Sequence, residues 1–249
     1  MMKTLAITGG TKGIGSAIAQ KFIEQGWKVV LGARKDNGFA DSLGPNALFS
    51  PMDVTREQDH LAFANKAIDF SGRLDAYINC AGCSDWRPLE SIDEEFWTRM
   101  MDTNLKGAMW GCKAAATLLE RNACIVNVSS LAGKRGSANN SVYCAAKFGV
   151  NAITQSLAKE LGPRGIRVNA VCPVYVETPG VLEALKNPLS PAGGQSVENY
   201  LKSFAASQSA LKRLPTGEEV GKACLFLASS PSSAITGQCI NVDCGVLPQ

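Results

Sequence analysis

The sequence predicts an α/β fold, a doubly wound parallel sheet of about seven strands covered by helices in three α/β/α layers. Short apolar runs alternate with longer amphipathic segments, as expected when both faces of a parallel sheet are buried. The first apolar run leads into a glycine-rich turn and then a helical pattern, which is the opening unit of a Rossmann fold. No repeat, low-complexity tract or linker interrupts the sequence, so we expect one domain over residues 1–249.

Strands are predicted where short runs are rich in apolar and β-branched residues. Helices are predicted where apolar residues recur every three or four positions, as Leu61, Ala64 and Ile68 do. Gly26 gives the first helix a stop signal. In chain order, the expected strands are 4–8, 28–31, 47–52, 74–79, 123–129, 166–172 and 238–242, and the expected helices are 16–25, 56–70, 92–119, 143–161 and 217–228.

Composition argues against several functional classes. The net charge is +3, and no block of lysine and arginine suggests binding to nucleic acid or to an anionic membrane. No segment approaches the ~20 apolar residues of a membrane span. The apolar run at the start is too short for a signal peptide, so we expect a cytoplasmic protein.

The nine cysteines are scattered through apolar runs, which is typical of reduced, small core residues. Cys80 and Cys83 form a CxxC pattern, but no second pair or histidine cluster completes a zinc or redox site. The only histidine is His60, in a segment interpreted as a polar helix. Neither a histidine-based triad nor a metal site is therefore expected.

The glycine-rich turn at 8–15, TGGTKGIG, is a candidate phosphate cradle. Glycines let the backbone approach a pyrophosphate, and the start of the following helix offers free N–H groups and positive potential. The spacing TGxxxGxG differs from GxGxxG. A structural turn is the alternative, and the strand–turn–helix context favours the cradle.

A second candidate site lies around Tyr143 and Lys147, which are four residues apart in a predicted helix. That spacing stacks their side chains on one face, ~6 Å apart. A neighbouring ammonium favours phenolate, so we expect a lowered pKa for Tyr143. Ser130 follows a strand, and its hydroxyl can polarise a carbonyl oxygen. Alone, YxxxK also fits an ordinary exposed helix pair.

Taken together, these motifs resemble the short-chain dehydrogenase/reductase family in its compact form of about 250 residues. The resemblance covers nearly the whole chain, and the motifs occur in the family's order. They are Thr8–Gly15, Asp53, the NCAG sequence at 79–82, Asn104, Ser130, Tyr143, Lys147 and the NVDCG sequence at 241–245.

The resemblance implies hydride transfer between a nicotinamide coenzyme and a ketone/secondary alcohol pair. It makes Tyr143 the general acid and base, with Lys147 lowering its pKa and holding the nicotinamide ribose. Ser130 would bond the substrate oxygen, and Asn104 would support a water that relays protons. The expected coenzyme-binding residues are Gly9, Thr11, Lys12, Gly13, Ile14, Gly15, Arg34, Asp53, Val54, Asn79, Ala81, Gly82, Tyr143, Lys147, Pro173, Val176 and Thr178.

Three positions depart from the family pattern. Cys80 replaces the second Asn of Asn-Asn-Ala-Gly, and Cys244 replaces one Gly of the terminal Asp-Gly-Gly. Val174 stands where the family usually has the Gly of Pro-Gly. Because valine does not readily adopt a positive φ, the turn at Val174 is expected to differ locally.

The second strand and the residue after it favour NADP(H) over NAD(H). NAD-preferring relatives usually carry an acid near the position of Ala33, whereas this chain has none and continues with Arg34. Lys12 adds a second cation in the glycine turn, and together the two can hold a 2′-phosphate. The alternative is that both are solvated surface charges.

A segment at 173–215, here called the lid, contains five prolines and the Gly193-Gly194 pair. A connection of this length is usually functional, and residues 197–206 within it can form a short helix. The segment resembles the lids of hydroxybutyrate, polyol and sugar dehydrogenases, and this resemblance implies a small polar ketone or secondary alcohol of polyol, sugar or hydroxy-acid type. Arg121 and Arg164 keep open a 3-oxoacyl-thioester reductase, and a non-catalytic dinucleotide sensor is the alternative from another class.

The longer helices indicate assembly. Those predicted at 92–119 and 143–161 carry small and apolar residues on more than one face. One face covers the sheet and the remainder needs a partner, so a homotetramer is expected.

Overall fold

The computed structural model describes residues 2–248 and contains a seven-stranded sheet in which each strand is parallel to its neighbours. The spatial order is β3-β2-β1-β4-β5-β6-β7, so the connection changes direction between β1 and β4 and leaves a crevice at the carboxyl ends of the strands. The predicted doubly wound fold is confirmed. The strands are β1 Thr4–Thr8, β2 Lys28–Ala33, β3 Ala47–Pro51, β4 Ala76–Asn79, β5 Cys124–Val128, β6 Arg167–Pro173 and β7 Cys239–Val242.

Nine α-helices occur within the described residues, and short 3₁₀ turns lie at 89–91, 131–133, 162–164 and 230–232. A π-helical turn, Asp102–Lys106, joins the fourth helix to the fifth. The helices are α1 Gly13–Glu24, α2 Phe39–Ser42, α3 Glu57–Ser71, α4 Glu94–Met101, α5 Gly107–Leu118, α6 Ser141–Leu161, α7 Pro179–Leu185, α8 Val197–Gln208 and α9 Gly217–Leu227.

The two faces of the sheet bury separate apolar layers. Because side chains alternate along a strand, Leu5 and Ile7 of β1 face α1 and α9, whereas Ala6 faces α3, α5 and α6. Phe22 of α1 is fully buried in the first layer and Phe63 of α3 almost fully buried in the second. The three-layer α/β/α arrangement follows from these two cores.

Several boundaries differ from the sequence prediction. The helix expected at 16–25 begins earlier, at Gly13, and the long helix expected at 92–119 is interrupted by the π turn. Its start is fixed by Asp93, whose carboxylate accepts a hydrogen bond from the Phe96 amide at 2.7 Å. Helices α2 and α7 were not expected, and the short helix expected at 197–206 is α8.

His60 lies in a helix, α3, as expected, but its side chain is fully buried rather than on the polar face. His60, Phe63, Ala64 and Ala67 are spaced as one face of a helix and all lie against the sheet. Desolvation lowers the pKa of His60, so the ring is neutral at pH 7.

All nine cysteines are free. Burial raises the pKa of Cys80 to about 12, which leaves its thiol protonated and unreactive at neutral pH. Cys244 adopts φ +55°, the left-handed region that its family-pattern glycine would favour, whereas Val174 has no positive φ. Across residues 2–248, no cluster of three or more His, Cys, Asp or Glu is placed to hold a metal, and none of the helices there is long and apolar enough to cross a membrane.

Candidate active site

The glycine turn lies directly against the segment after β4. Gly9 and Gly13 have φ values of +67° and +58°, which glycine adopts without strain. A Cβ on Gly9 would lie 2.8 Å from the Cα of Ala81, so a side chain there would displace the neighbouring backbone. The Thr8 hydroxyl accepts hydrogen bonds from the amides of Cys80 and Ala81 at 3.1 and 3.2 Å.

Helix α1 begins inside this turn at Gly13, and the residue before it, Lys12, makes no side-chain cap. The amides of the first helical turn therefore have no side-chain acceptor there. Free N–H groups at a helix start, with glycines that permit close approach, fit a pyrophosphate. Of the predicted coenzyme residues, Gly9, Thr11, Gly13, Ile14 and Gly15 lie in or beside this cradle.

Asp53 and Val54 form a turn after β3 at the other end of the crevice. The Asp53 carboxylate accepts from the backbone amide and the hydroxyl of Thr55, at 3.0 and 2.8 Å. The hydrogen bond from the Thr55 amide contributes most to the lowered pKa of Asp53, and the positive charge of Arg34 lowers this pKa further. Arg34 thus lies near Asp53 and has no ion-pair partner among residues 2–248.

Lys12 and Arg34 lie on two segments that contact each other. Arg34 begins the loop after β2, where Asn37 donates to the Thr11 carbonyl of the glycine turn at 2.9 Å. The Lys12 side chain lines a cleft of about 470 Å³ between the glycine turn and α7, together with Ser84, Asp85 and Glu183. Because Arg34 lies near Asp53, it is the stronger candidate for the 2′-phosphate.

Tyr143 and Lys147 lie one turn apart on α6, beside the end of β5. Lys147 is 5% exposed, and its Nζ donates to the Val128 carbonyl at 2.9 Å. Nζ lies 5.7 Å from the centroid of the Tyr143 ring. Ser130 precedes a 3₁₀ turn, where its Oγ accepts from the Ala132 amide at 3.1 Å. Burial lowers the pKa of Lys147.

The pKa of Tyr143 differs from the expectation. Desolvation raises it to about 12, and the nearby Ser130 hydroxyl only partly opposes this shift. Desolvation outweighs the lowering expected from Lys147, whose Nζ donates to the Val128 carbonyl and lies 5.7 Å from the centroid of the Tyr143 ring. In this arrangement the phenol is protonated at neutral pH and is therefore a proton donor.

Asn104 lies in the π turn and holds the residue after the NCAG motif. Its Nδ2 donates to the carbonyls of Met100 and Cys83 at 2.9 Å each, and its Oδ1 accepts from the Cys83 amide at 3.1 Å. A Cβ on Gly82 would lie 2.8 Å from Asn104 Oδ1 and 3.8 Å from Lys147 Nζ. Asn104, Gly82 and Lys147 are therefore neighbours, as the resemblance implied, and π turns often mark functional sites.

The side chain of Asn79 faces away from the glycine turn. Its Nδ2 donates to Asn127 Oδ1 at 2.9 Å, and Asn127 donates to the Thr154 hydroxyl at 2.9 Å. Gly111 lies so close that a Cβ there would be 1.9 Å from Asn79 Oδ1. The predicted coenzyme contact cannot come from this side chain, which instead links β4, β5 and α6. The Gly111 contact was not anticipated from the sequence.

The lid contains helices α7 and α8. Pro173 ends β6, and Val176 is buried against the central core. The Thr178 hydroxyl caps α7 by accepting from the Val181 amide at 3.3 Å, and its side chain would be 3.5 Å from a Cβ on Gly13. The lid therefore starts beside the phosphate cradle.

Three groups that the sequence did not reveal attach the lid to the body. Asn187 donates to the Asp85 carboxylate at 2.9 Å and to the Trp86 carbonyl at 3.0 Å. Asn139 donates to the Leu189 carbonyl at 3.2 Å. Trp86 is buried among lid residues, including Leu185 and Leu201.

We expect the lid to exchange its amide hydrogens faster in the ligand-free protein than in a complex with coenzyme and substrate. Only a few hydrogen bonds attach it to the body, so opening requires little unfolding. Hydrogen exchange with mass spectrometry measures this, with peptides from β4 and β5 as the slow reference. Equal protection with and without ligands would mean that the lid is fixed.

The chain is similar over almost its whole length to known reductases and dehydrogenases. A protein-family model described as "Enoyl-(Acyl carrier protein) reductase" matches residues 9–247. A 3-oxoacyl-acyl-carrier-protein reductase of Chlamydia muridarum is 34% identical over 98% of this chain and 97% of its own.

Two solved structures have the same architecture. Aldohexose dehydrogenase of Thermoplasma acidophilum, in ligand-free form, has a TM-score of 0.88 at 30% identity and covers 100% of this chain and 98% of its own. A variant of actinorhodin polyketide ketoreductase with NADPH has a TM-score of 0.90 at 28% identity, covering 98% and 97%.

Proposed function

Because the chain belongs to the short-chain dehydrogenase/reductase family, we propose that it is an NADP(H)-dependent reductase of 3-oxoacyl thioesters. Family membership makes it a nicotinamide-dependent oxidoreductase. The observation that carries the reductase chemistry is the placement of Tyr143, Lys147 and Ser130 beside the glycine turn. The segment after β4 connects these residues to the glycine turn. Gly82 lies next to Asn104 and Lys147, and Ala81 lies next to Gly9.

The coenzyme, when bound, supplies the hydride. The chain's own residues would hold it along the crevice: the start of α1 would bind the pyrophosphate, Asp53 and Val54 the adenosine, and Arg34 the 2′-phosphate. Lys147 would bind the ribose nearest the reacting carbon. Free N–H groups, a fixed carboxylate and an unpaired guanidinium match phosphate, adenine amine and 2′-phosphate, respectively.

During reduction Tyr143 donates its phenolic proton to the carbonyl oxygen, and the Ser130 hydroxyl bonds the same oxygen. A pKa of about 12 keeps the proton on the phenol at neutral pH. The buried ammonium of Lys147 lies near enough to stabilise the phenolate formed after transfer. Asn104 fixes the backbone of Cys83 beside this group, which supports a relay of protons from solvent.

Two arginines support a substrate that is bound to an acyl-carrier protein. Arg121 lies over Gly165, where a Cβ would be 3.0 Å from its Cγ, and Arg164 donates to the Leu119 carbonyl at 3.2 Å. Neither is in an ion pair within residues 2–248. Adjacent free guanidinium groups suit an acidic partner surface.

A small polar ketone or secondary alcohol, such as a sugar or polyol, is the second candidate. Four polar side chains along part of the cleft beside α7, Ser84, Asp85, Glu183 and Asn187, favour it. The similarity to an aldohexose dehydrogenase supports it as well. Both candidates use Tyr143, which would donate a proton in carbonyl reduction and accept one in alcohol oxidation. They differ in the substrate that the lid accepts and in the need for a carrier.

Initial rates with acetoacetyl thioester and with aldohexoses, each at matched concentrations of NADP(H) and NAD(H), separate the candidates. We expect NADPH oxidation with the thioester to be at least about tenfold more efficient in kcat/KM than the sugar reaction. A preference for aldohexose oxidation would replace the thioester proposal with the second candidate. Arg121→Ala should weaken turnover of carrier-bound substrate more than that of a short synthetic thioester.

A homotetramer is proposed as the functional assembly. A groove of about 500 Å³ is lined by Met101, Leu105, Met109, Trp110 and Ile153, between the α4–α5 region and α6. Phe148 of α6 is 46% exposed beside Gly149, which lines the same groove. Apolar side chains at this density usually require a partner.

Light scattering at micromolar concentration should give four times the chain mass of 26.3 kDa. Phe148→Glu should shift the mass towards smaller species, because it puts a charge into an apolar contact. Phe226→Glu, also at an exposed apolar residue but on α9, tests whether a second surface contributes. A monomer mass for the wild type would contradict the proposal.

A further inference from the structure

We propose that His60 is a positioning residue for the adenosine end of the coenzyme site, acting through the carbonyl of Val54. The His60 Nε2 lies 2.9 Å from the Val54 oxygen, and its Nδ1 lies 2.9 Å from the Tyr77 hydroxyl. Neither His60 nor Tyr77 has measurable exposure. The inference rests on the placement of adenosine at Asp53 and Val54 in the proposed function, and does not depend on the substrate.

The partners of the ring determine its tautomer. A carbonyl oxygen only accepts, so Nε2 must carry the proton that it gives to Val54. Nδ1 of the neutral ring is then an acceptor, and it accepts a hydrogen bond from the Tyr77 hydroxyl. Burial raises the pKa of Tyr77 well above its usual value, which keeps that proton available. The two hydrogen bonds therefore run in one direction, from the Tyr77 hydroxyl on β4 through the His60 ring to the Val54 carbonyl in the turn after β3.

The turn itself is tightly held. The Asp53 amide donates to the Asp59 carboxylate at 2.9 Å, and Asp59 precedes His60 on α3. On the other side the turn contacts α5, since a Cβ on Gly107 would lie 3.1 Å from the Val54 oxygen. The first turn of α3 therefore bonds the Asp53 amide and the Val54 carbonyl, which lie on either side of the peptide group that joins these two residues.

Tyr77 makes the ring's position rigid. Its phenol ring lies edge-on to Phe63, with centroids 5.9 Å apart, and its backbone belongs to β4 in the middle of the sheet. Removing the imidazole would leave a partly buried Val54 carbonyl and a buried Tyr77 hydroxyl without their partners. The turn would then relax, and adenosine would bind less tightly, while Tyr143 and Lys147 stay in place.

The test measures binding rather than turnover. The wild type is first titrated with NADPH and NADH by fluorescence, and the tighter coenzyme is then used with His60→Leu. We expect the Kd for that coenzyme, and for adenosine 2′,5′-bisphosphate or AMP as the matching half-molecule, to rise about five- to twentyfold. Amide exchange at 53–55 should also quicken in the ligand-free variant.

Two further variants keep the test decisive. Tyr77→Phe retains the ring against Phe63 and should raise the Kd for the same coenzyme by a smaller factor. This variant keeps the inference testable if His60→Leu does not fold. Ser232→Ala removes another fully buried hydroxyl, which bonds the Leu227 carbonyl at 3.0 Å, and should leave the Kd unchanged. Unchanged Kd in folded His60→Leu and Tyr77→Phe, or an equal rise in Ser232→Ala, would overturn the inference. A wild type that prefers NADH would overturn the coenzyme proposal alone.

Because the chain has one histidine, its ring signals in nitrogen-15 NMR are unambiguous. We expect the Nε2-protonated neutral form at pH 7, and a ring protonated at Nδ1 alone would contradict the geometry. The carboxylates of Asp53 and Asp59 favour protonation, but desolvation outweighs them and lowers the pKa. Stability from His60 is therefore present above about pH 6.5 and lost as the pH falls below it, because the unfolded chain then binds the extra proton.

Discussion

Tyr143→Phe should lower turnover by at least about two orders of magnitude and leave coenzyme affinity within about twofold. The substitution keeps the ring that packs near Phe96 and Val142 but removes the transferable proton. Steady-state rates with the best ketone from the substrate comparison, together with fluorescence titration of the coenzyme, measure the two quantities.

Tyr200→Phe is the matched control, because it removes a hydroxyl whose partner is Tyr175, at 3.1 Å in the lid. Its turnover should stay within a few-fold of wild type. Lys147→Met should differ from both by losing turnover and coenzyme affinity together, since the ammonium serves the phenol and the ribose. Near-normal turnover in Tyr143→Phe would remove the acid–base assignment.

Ala33→Asp should reverse the coenzyme preference, which we expect to favour NADPH by about tens- to hundreds-fold in the wild type. Ala33 ends β2 opposite Pro51, at the position from which a carboxylate reaches the adenosine ribose. There it would repel a 2′-phosphate and accept from a free ribose diol. Values of kcat/KM for NADPH and NADH, measured in parallel, give the ratio.

Arg34→Ala should raise the KM for NADPH and leave that for NADH nearly unchanged. Lys35→Ala is the control, because Lys35 is the next exposed cation on the same loop. Lys12→Ala should have the smaller effect of the two candidate cations, since its side chain lines the cleft beside α7. A wild type that uses NADH better than NADPH would show that Arg34 is a surface charge, while the fold and the Tyr143–Lys147 chemistry would stand.

Most of the fold follows from local patterns. Apolar runs of strand length alternating with amphipathic helices leave few arrangements besides a doubly wound parallel sheet. The neighbours of Tyr143, Lys147, Ser130 and Asn104 could also be anticipated, because parallel strands place their carboxyl ends at one edge.

Other features depend on how deeply a group is buried, which a single sequence does not reveal. The pKa of Tyr143 is raised because desolvation of the phenol exceeds the influence of nearby charges, and that balance needs coordinates. Lid helix α7 was not predicted because it begins with a proline and a glycine, although Pro179 occupies the first helical position, where proline is favoured.

Two side-chain positions could have been predicted from periodicity alone. The i, i+3, i+4, i+7 spacing of His60 with Phe63, Ala64 and Ala67 already marked a buried face. Along β4, Tyr77 and Asn79 alternate with Ala76 and Ile78, so Asn79 shares the face of Tyr77. Both residues then fall on the α3–α5 side of the sheet.

The construction of the lid bears on how such chains diverge. Its helices pack on one another around Leu185 and Leu201, and the body meets them through Trp86, through the cluster that includes Phe204, and through hydrogen bonds of Asn187, Asn139 and Ser209. A stretch with its own small core can be exchanged between relatives without disturbing the register of the seven strands. A chimera carrying the 173–215 stretch of an aldohexose dehydrogenase on this body should therefore fold, and should inherit the donor's substrate preference while keeping this chain's coenzyme preference.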